Sequence, residues 1–285
     1  MKLGSVASLV VPVAGADPIL GRVDRAAELG IAVLNVSFRE PGQREPGYME
    51  SVAEAASKKG VELRLLGTGG RFGSPNPDER KADAERVVAD LLDVKRHTGI
   101  GFSSIVNRPM DHNRWSPEPP MDERIDIIAE SLAKVADAVA SAGIVLGLEN
   151  HCDYRGHECA AMLEKANRPN LGAQLDTGNA FTVFEDPMDC ARALARWTLS
   201  VHLKDVRVTP LAPAPWSGAR TETVPLGEGH VDNVAICGMI QEQAPDPRSV
   251  ALMIEPLAMP AEADRDAFLQ ACLAWARARL APFLA

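Results

Sequence analysis

The 285-residue chain is predicted to fold as one parallel (β/α)₈ barrel spanning residues 1–285. Three observations predict it. Short apolar runs alternate with longer amphipathic stretches, which argues for βαβ units and a parallel sheet. That alternation repeats eight times, and a single barrel of about 250 residues plus insertions fits the length. No linker, charge block or low-complexity segment divides the chain.

In order, strands are expected near 3–11, 32–37, 61–66, 101–107, 144–150, 171–176, 198–204 and 249–255. Helices are expected near 18–29, 46–59, 78–97, 121–142, 156–166, 187–196, 231–243 and 262–280. The first strand begins directly in an apolar run that meets Pro12. Gly30, Gly60 and Gly99 stand where helices stop before a strand. The fourth helix is the clearest, because Ile125, Ile128, Leu132, Val135 and Val139 recur at steps of three and four, one face of a helix. Asp122 and Glu123 occupy its first turn, favourable to the helix dipole, and Gly143 closes it. The fifth strand, Ile144-Val145-Leu146-Gly147-Leu148, is almost wholly apolar, as burial on both faces requires. Two irregular stretches remain, about 108–120 and 206–230. In a barrel both follow strands and fall on the catalytic face. The second holds Pro210, Pro213, Pro215, Gly218, Gly227 and Gly229, and is read as a long active-site loop.

Composition narrows the partners. Hydrophobic residues make up 46% of the chain, enough for a sizeable core, and the net charge is −9 with no basic run. Nucleic-acid binding usually shows a basic patch, so that partner is disfavoured. Five cysteines (152, 159, 190, 237 and 272) form no CxxC, which disfavours a disulfide framework or a cysteine zinc site. The amino-terminal run is too short for a membrane span. The expectation is a cytoplasmic protein with a small-molecule partner, and a homo-oligomer stays open.

Four strand ends carry polar residues that a buried strand otherwise avoids. They are Leu148-Glu149-Asn150-His151, Leu175-Asp176-Thr177-Gly178-Asn179, Val201-His202-Leu203-Lys204-Asp205 and Ile254-Glu255-Pro256. Singly, a glutamate ending a strand is as well explained by a cap or a salt bridge, and a histidine near a core by a satisfied structural role. Together, three carboxylates and an imidazole converge on one barrel mouth, where unpaired charge is costly. A divalent cation bound by Glu149, Asp176, His202 and Glu255 is the simplest common partner. Hard oxygen donors with one imidazole favour Mn²⁺, with Mg²⁺, Co²⁺ and Zn²⁺ as alternatives.

These segments, with Gly227-Glu228-Gly229-His230-Val231-Asp232, resemble the xylose-isomerase-like superfamily of sugar isomerases and epimerases. The resemblance covers the carboxyl-terminal half closely and the amino-terminal half only in rhythm. It implies a metal held by Glu149, Asp176, His202 and Glu255. It also implies proton transfer by Glu149 and Glu255 through a metal-bound enediolate of a ketose or related sugar. One departure is Asn179, where epimerases often carry a histidine three residues after the metal-binding aspartate. An amide there cannot shuttle a proton.

His151 lies two residues after Glu149, and on a strand i and i+2 share a face. If the strand reaches that far, His151 is a further catalytic candidate with a pKa suited to neutral pH. An E-x-H pair resembles lyase-like branches that act on 3-oxo sugar acids or 3-oxo glycosides. The ordinary alternative is a loop histidine capping the fifth helix. Lys204 shares the face of His202 and is placed to neutralise a substrate oxyanion, while Asp205 faces away. Substrate contacts are expected from Asn179, Asn107, Arg207 and the backbone at Gly227 and Gly229. Arg108, His112, Trp115 and Trp216 are loop candidates, and Gly67–Arg71 is a weak anion cradle without a P-loop spacing. Three functions compete: a metal-dependent sugar isomerase or epimerase, a metal-dependent lyase or decarboxylase, and a non-catalytic sugar-binding barrel.

Overall fold

The computed structural model describes residues 1–107, 114–213 and 218–285. Arg108, His112 and Trp216 lie outside the described residues. The strands are β1 (Lys2–Val6), β2 (Val33–Val36), β3 (Glu62–Gly70), β4 (Phe102–Asn107), β5 (Val145–Glu149), β6 (Leu171–Asp176), β7 (Thr198–Leu203), β8 (Val206–Pro210), β9 (Ala219–Thr223) and β10 (Ala251–Ile254). The helices are α1 (Leu20–Glu28), α2 (Pro46–Lys59), α3 (Pro77–Thr98), α4 (Met121–Ala140), α5 (Gly156–Ala166), α6 (Pro187–Leu194), α7 (Asn233–Gln243) and α8 (Arg265–Arg279). Eight strands close in the order β1-β10-β7-β6-β5-β4-β3-β2, every neighbour parallel. The fold is the expected α/β barrel.

The helical signals act as their chemistry requires. Gly30, Gly60, Gly99 and Gly143 all have positive φ, the left-handed geometry that lets a chain leave a helix without a Cβ clash. On α4, the predicted face of Ile125, Ile128, Leu132, Val135 and Val139 is buried. The main core fills the layer between barrel and helices. Inside the barrel a small separate cluster of Val33, Ala251 and Met253 packs. The amino-terminal end is stopped by buried Arg64, whose guanidinium lies 4.6 Å from the Phe102 ring centroid and donates to Ser249 O at 2.9 Å. That leaves the carboxyl ends of the strands as the open mouth.

Three expectations are corrected. β1 ends at Val6 rather than near 11, because Leu9 N and Val10 N turn back onto Val6 O and Ala7 O. Leu9 and Val10 are buried all the same, and a buried turn reads in sequence like a buried strand. β3 runs on to Gly70 through an irregularity between Leu65 and Thr68. The Gly67–Arg71 segment is therefore mostly strand, and its N–H groups are engaged: Gly67 N with Ser104 Oγ and Arg71 N with Asp83 Oδ2. Finally, the 206–230 stretch holds an antiparallel hairpin, Val206 facing Thr223 through to Pro210 facing Ala219. The valines and threonines of both arms favour strand, and Pro210 is tolerated at a strand end.

Candidate active site

Strand alternation and register deliver the predicted cluster. Asp176 pairs in register with His202, and His202 with Met253. Registered positions share a face, and each i+2 step keeps it, so Asp176, His202, Lys204 and Glu255 point inward together. Glu149, the last residue of β5, joins them. One ligand atom from each of Glu149, Asp176, His202 and Glu255 lies within 4.8 Å of all the others. His202 Nδ1 is 3.0 Å from Glu255 Oε2, 3.5 Å from Glu149 Oε1 and 3.6 Å from Asp176 Oδ2. Asp176 and His202 are fully buried and Glu149 nearly so, while Glu255 is half-buried.

Backbone contacts aim these groups. Asp176 Oδ1 accepts from Gly178 N and Asn179 N, both at 2.9 Å, which leaves Oδ2 facing the mouth. The Asn150 side chain ties β5 to β6, donating to Asp176 O at 2.8 Å and accepting from Asp176 N at 2.7 Å. Lys204 Nζ sits 2.7 Å from Asp176 Oδ2 and 3.1 Å from Glu255 Oε2, and donates to Asn179 Oδ1 at 3.0 Å. Asn179 Nδ2 donates to Glu149 Oε1 at 3.4 Å. Asn179 thus bridges Lys204 and Glu149 on the site face.

The electrostatics follow from crowding three acids and two bases out of water. Burial pushes the Asp176 and Glu255 carboxyls up, but Lys204 and His202 outweigh it and hold both below the usual range. Burial opposes charge on His202, yet Glu255 and Glu149 raise its pKa well above that of a free imidazole. The same carboxylates, with Asp176, overcome burial and raise Lys204. The donor set fits a divalent cation. His202 Nδ1 is buried with no hydrogen bond of its own, and Asp176 Oδ2 meets Lys204 only as an ion pair. Three hard oxygens and one imidazole nitrogen face one point.

The remaining predicted residues are placed differently. β5 stops at Glu149, two residues short of His151, which is half-buried and among the described residues has no partner for its Nδ1. Asn107 is buried at the end of β4, its Oδ1 accepting from Gly73 N at 2.8 Å while among the described residues its Nδ2 has no hydrogen bond of good geometry. Arg207 lies on the hairpin, 3.3 Å from Glu222 Oε1 and donating to Glu228 O at 3.1 Å. Gly227 and Gly229 do permit a close approach, but the group that approaches is Asp205. Its Oδ2 accepts from both N–H groups, at 2.8 and 3.0 Å. A Cβ on Gly229 would stand 2.1 Å from Asp205 Oδ1, and one on Gly227 2.0 Å from Trp275 Nε1.

Two residues of the site escaped the sequence. Asn35, on β2, places Nδ2 3.3 Å from His202 Nε2, while its own buried Oδ1 has no partner. The available signal was a single amide inside an otherwise apolar strand. Asp153, four residues after Glu149, is 1% exposed, and among the described residues neither oxygen has a hydrogen bond of good geometry. Burial first, then the nearby Glu149 charge, push its carboxyl up to about 8.

The structure is a closed parallel (β/α)₈ barrel with an acid–imidazole cluster at its mouth. Residues 23–272 match the xylose isomerase-like TIM barrel family, and the chain belongs to it. The chain is 23% identical over 234 residues to a 3-oxo-isoapionate decarboxylase of Pectobacterium atrosepticum, covering 82% of this chain and 75% of that one. It is 22% identical over 177 residues to the uncharacterised protein YihM of Escherichia coli K12, covering 57% of this chain and 53%, about half, of that relative's length. Among solved structures, an L-ribulose 3-epimerase superposes with a TM-score of 0.75 at 15% identity, covering 99% of this chain and 95% of that one. The D-psicose 3-epimerase of Clostridium cellulolyticum H10 gives 0.75 at 17% identity, covering 98% and 99%. The IOLI protein, solved with a zinc atom, gives 0.74 at 14% identity, covering 100% of both chains.

Proposed function

We propose that this protein is a divalent-cation-dependent isomerase or epimerase of a ketose or related sugar. The observation that carries this reading is the convergence of four ligand atoms, from four neighbouring staves, within 4.8 Å. Glu149, Asp176, His202 and Glu255 would hold the cation, with Mn²⁺ preferred and Mg²⁺, Co²⁺ or Zn²⁺ as alternatives. Bound there, it supplies Lewis-acid polarisation of a carbonyl and its neighbouring hydroxyl. The chain's own groups do the rest. Glu149 and Glu255 stand on different staves and can take and return a proton at the carbon beside the carbonyl. Return to the opposite face gives an epimer, and return to the neighbouring carbon gives an isomer. The Lys204 ammonium complements the negative charge that develops on oxygen, and Asn179 orients a substrate hydroxyl. Five unpaired cysteines support a cytoplasmic location.

A lyase or decarboxylase of a 3-oxo sugar derivative is the second reading. It is favoured by Asn179, which cannot relay a proton, and by the likeness to a decarboxylase. Carbon–carbon cleavage leaves the same enediolate, so the site serves either reaction. The test is Mn²⁺ titration followed by solvent deuterium wash-in over a panel of ketoses and 3-oxo sugar acids. Exchange with the carbon skeleton intact supports the first reading, and release of CO₂ or a fragment the second. Tight Mn²⁺ binding with neither outcome would leave a sugar-binding barrel. Glu149→Gln, Asp176→Asn and Glu255→Gln are each expected to abolish cation binding or turnover while the fold persists. Unchanged turnover in all three would overturn the assignment.

A further inference from the structure

A cavity of about 170 Å³ lies at the carboxyl ends of β2 and β3, and three arginines line it: Arg39, Arg44 and Arg86. Arg39 and Arg44 come from the connection that follows β2, and Arg86 comes from α3. One carboxylate, Asp90, completes the charged lining. The chain as a whole is acidic, at −9, so the cavity is a local reversal of sign, and the local field governs what binds. Pockets that take a whole ligand hold about 300–1,000 Å³. A space of this size suits one small group.

Two of the arginines are aimed by backbone carbonyls. Arg44 Nε donates to Phe38 O at 3.0 Å, and Arg86 Nη2 donates to Gly69 O at 2.7 Å. A carbonyl fixes a guanidinium without cancelling its charge. Their other nitrogens stand 3.5 and 3.6 Å from the two oxygens of Asp90, with Asp93 3.8 Å from Arg44 and Asp83 3.6 Å from Arg86. Contacts of that length are ion pairs rather than hydrogen bonds, and at the surface such pairs are weak.

The third arginine is unpaired. Arg39 N donates to Gln43 Oε1 at 3.0 Å, but among the described residues the guanidinium has neither a hydrogen bond nor an ion pair. β3 makes room for it. The register of β3 shifts between Leu65 and Thr68, and inside that irregularity Gly67 has φ of 70°. A Cβ on Gly67 would stand 2.9 Å from Arg39 Nη2. The Gly67–Arg71 segment thus offers no free N–H cradle, yet its first glycine admits a cationic side chain. Irregularities of this kind recur where a strand re-aims groups beside a site.

We propose that this cavity is an oxyanion site that binds a phosphate group through Arg39, Arg44 and Arg86, separate from the acid–imidazole cluster. Guanidinium forks match phosphate oxygens two at a time. The lining carries an excess of two positive charges, which the charge of a phosphate monoester, about −1.5 to −2, balances. A single carboxylate leaves it unbalanced. The cavity opens on the same end of the barrel as the cluster: β2 carries Asn35, 3.3 Å from His202 Nε2, and Ser37 in the lining follows two residues later. The phosphate is either free or carried on a small molecule, and the test separates the two. The proposal does not rest on the sugar reading, because it uses none of the same residues.

The full chain is titrated with inorganic phosphate, once loaded with Mn²⁺ and once stripped by a chelator, with binding read by calorimetry. Binding is expected in both states, with a Kd of about 1 mM or tighter. Arg39→Met and Arg44→Met are each expected to weaken it at least about tenfold. Arg39→Met should leave the melting temperature unchanged, since that guanidinium has no partner to lose. Arg39→Lys keeps the charge without the fork and should fall between the parent and Arg39→Met. D-xylulose 5-phosphate and D-xylulose, offered to the Mn²⁺-loaded chain, identify the source. A preference for the ester of at least about tenfold over both orthophosphate and the free ketose, lost in Arg39→Met, assigns the group to a phosphorylated substrate. An ester that binds no more tightly than orthophosphate assigns the site to free phosphate. Binding seen only with Mn²⁺ would put the phosphate on the cation and overturn the proposal. So would no binding by about 10 mM phosphate, or an affinity that Arg39→Met leaves unchanged.

Discussion

Asp205→Ala tests how the mouth is braced. The carboxylate is 2% exposed and accepts four backbone N–H groups. Oδ1 takes Val206 N at 2.9 Å and Val231 N at 3.1 Å, and Oδ2 takes Gly227 N and Gly229 N. One side chain thus clasps the start of the hairpin to the segment that leads into α7. Truncation orphans all four donors. Gly227 and Gly229 lie nearer solvent and can recover with water, whereas Val206 and Val231 are buried. A buried donor left without a partner costs about 1–3 kcal/mol, so the two together imply a loss of about 2–6 kcal/mol. For a domain of this size, each kcal/mol lowers the melting temperature by about 2–4 °C. Urea and thermal unfolding of the metal-free protein read the change directly. Asp205→Asn is expected to recover only part of it, because one oxygen becomes an N–H₂ facing other donors. A loss below about 1 kcal/mol in Asp205→Ala would mean the strap is held by something else, and the reading of the Gly227-Glu228-Gly229 turn would fail.

Two further expectations concern the cation. A cation on His202 Nδ1 requires the proton on Nε2, and the Asn35 amide stands there. Turned to present its unpaired Oδ1, it would accept that proton and fix the ring. Asn35→Leu is therefore expected to weaken Mn²⁺ binding about 10–100-fold with the fold retained, and a Kd within threefold of the parent would refute the role. The second expectation follows from the raised pKa of His202. A base with a raised folded pKa contributes stability that is complete below its unfolded value of about 6.5 and is lost as pH rises through the folded value. The metal-free protein should accordingly weaken in the alkaline range. Cation binding must release that proton, so Mn²⁺ affinity should climb with pH; affinity flat from about pH 6 to 9 would contradict it.

The barrel and its cluster were legible because their signals are local. Each stave is an apolar run, and each member of the cluster is an ionisable residue at or near the end of one. Lys204 followed by counting two residues from His202, and Asp205 was correctly turned away by counting one more. The limits are equally physical. His151 lies two residues beyond the end of β5, so strand alternation alone does not fix its direction. Asn35 carries no charge, and its partner is 167 residues distant, so nothing near it in the chain marks it. The hairpin was hidden by its prolines, which signal breaks in general but are harmless where a ladder ends. For Asp205 the alternation gave only a direction, away from the site; its four donors come from residues 206–231 that follow it.

Charge balance at the mouth argues for one cation and for a fixed role of Lys204. Glu149, Asp176 and Glu255 bring three negative charges into a space where Asp176 and His202 are fully buried. Lys204 supplies one positive charge from within contact of two of them. A protonated His202 supplies a second, leaving the cluster one negative charge in excess. Replacing that proton by one divalent cation leaves three positive charges against three negative. A second divalent cation at the same four ligands would overshoot by two, and buried excess charge is strongly disfavoured. Lys204 therefore belongs to the balance rather than competing with it. A neutral substitute such as Lys204→Met would leave the loaded cluster with a net negative charge facing the oxyanion that the proposed reaction creates. In the proposed reaction the ammonium is needed most at the moment a proton leaves carbon.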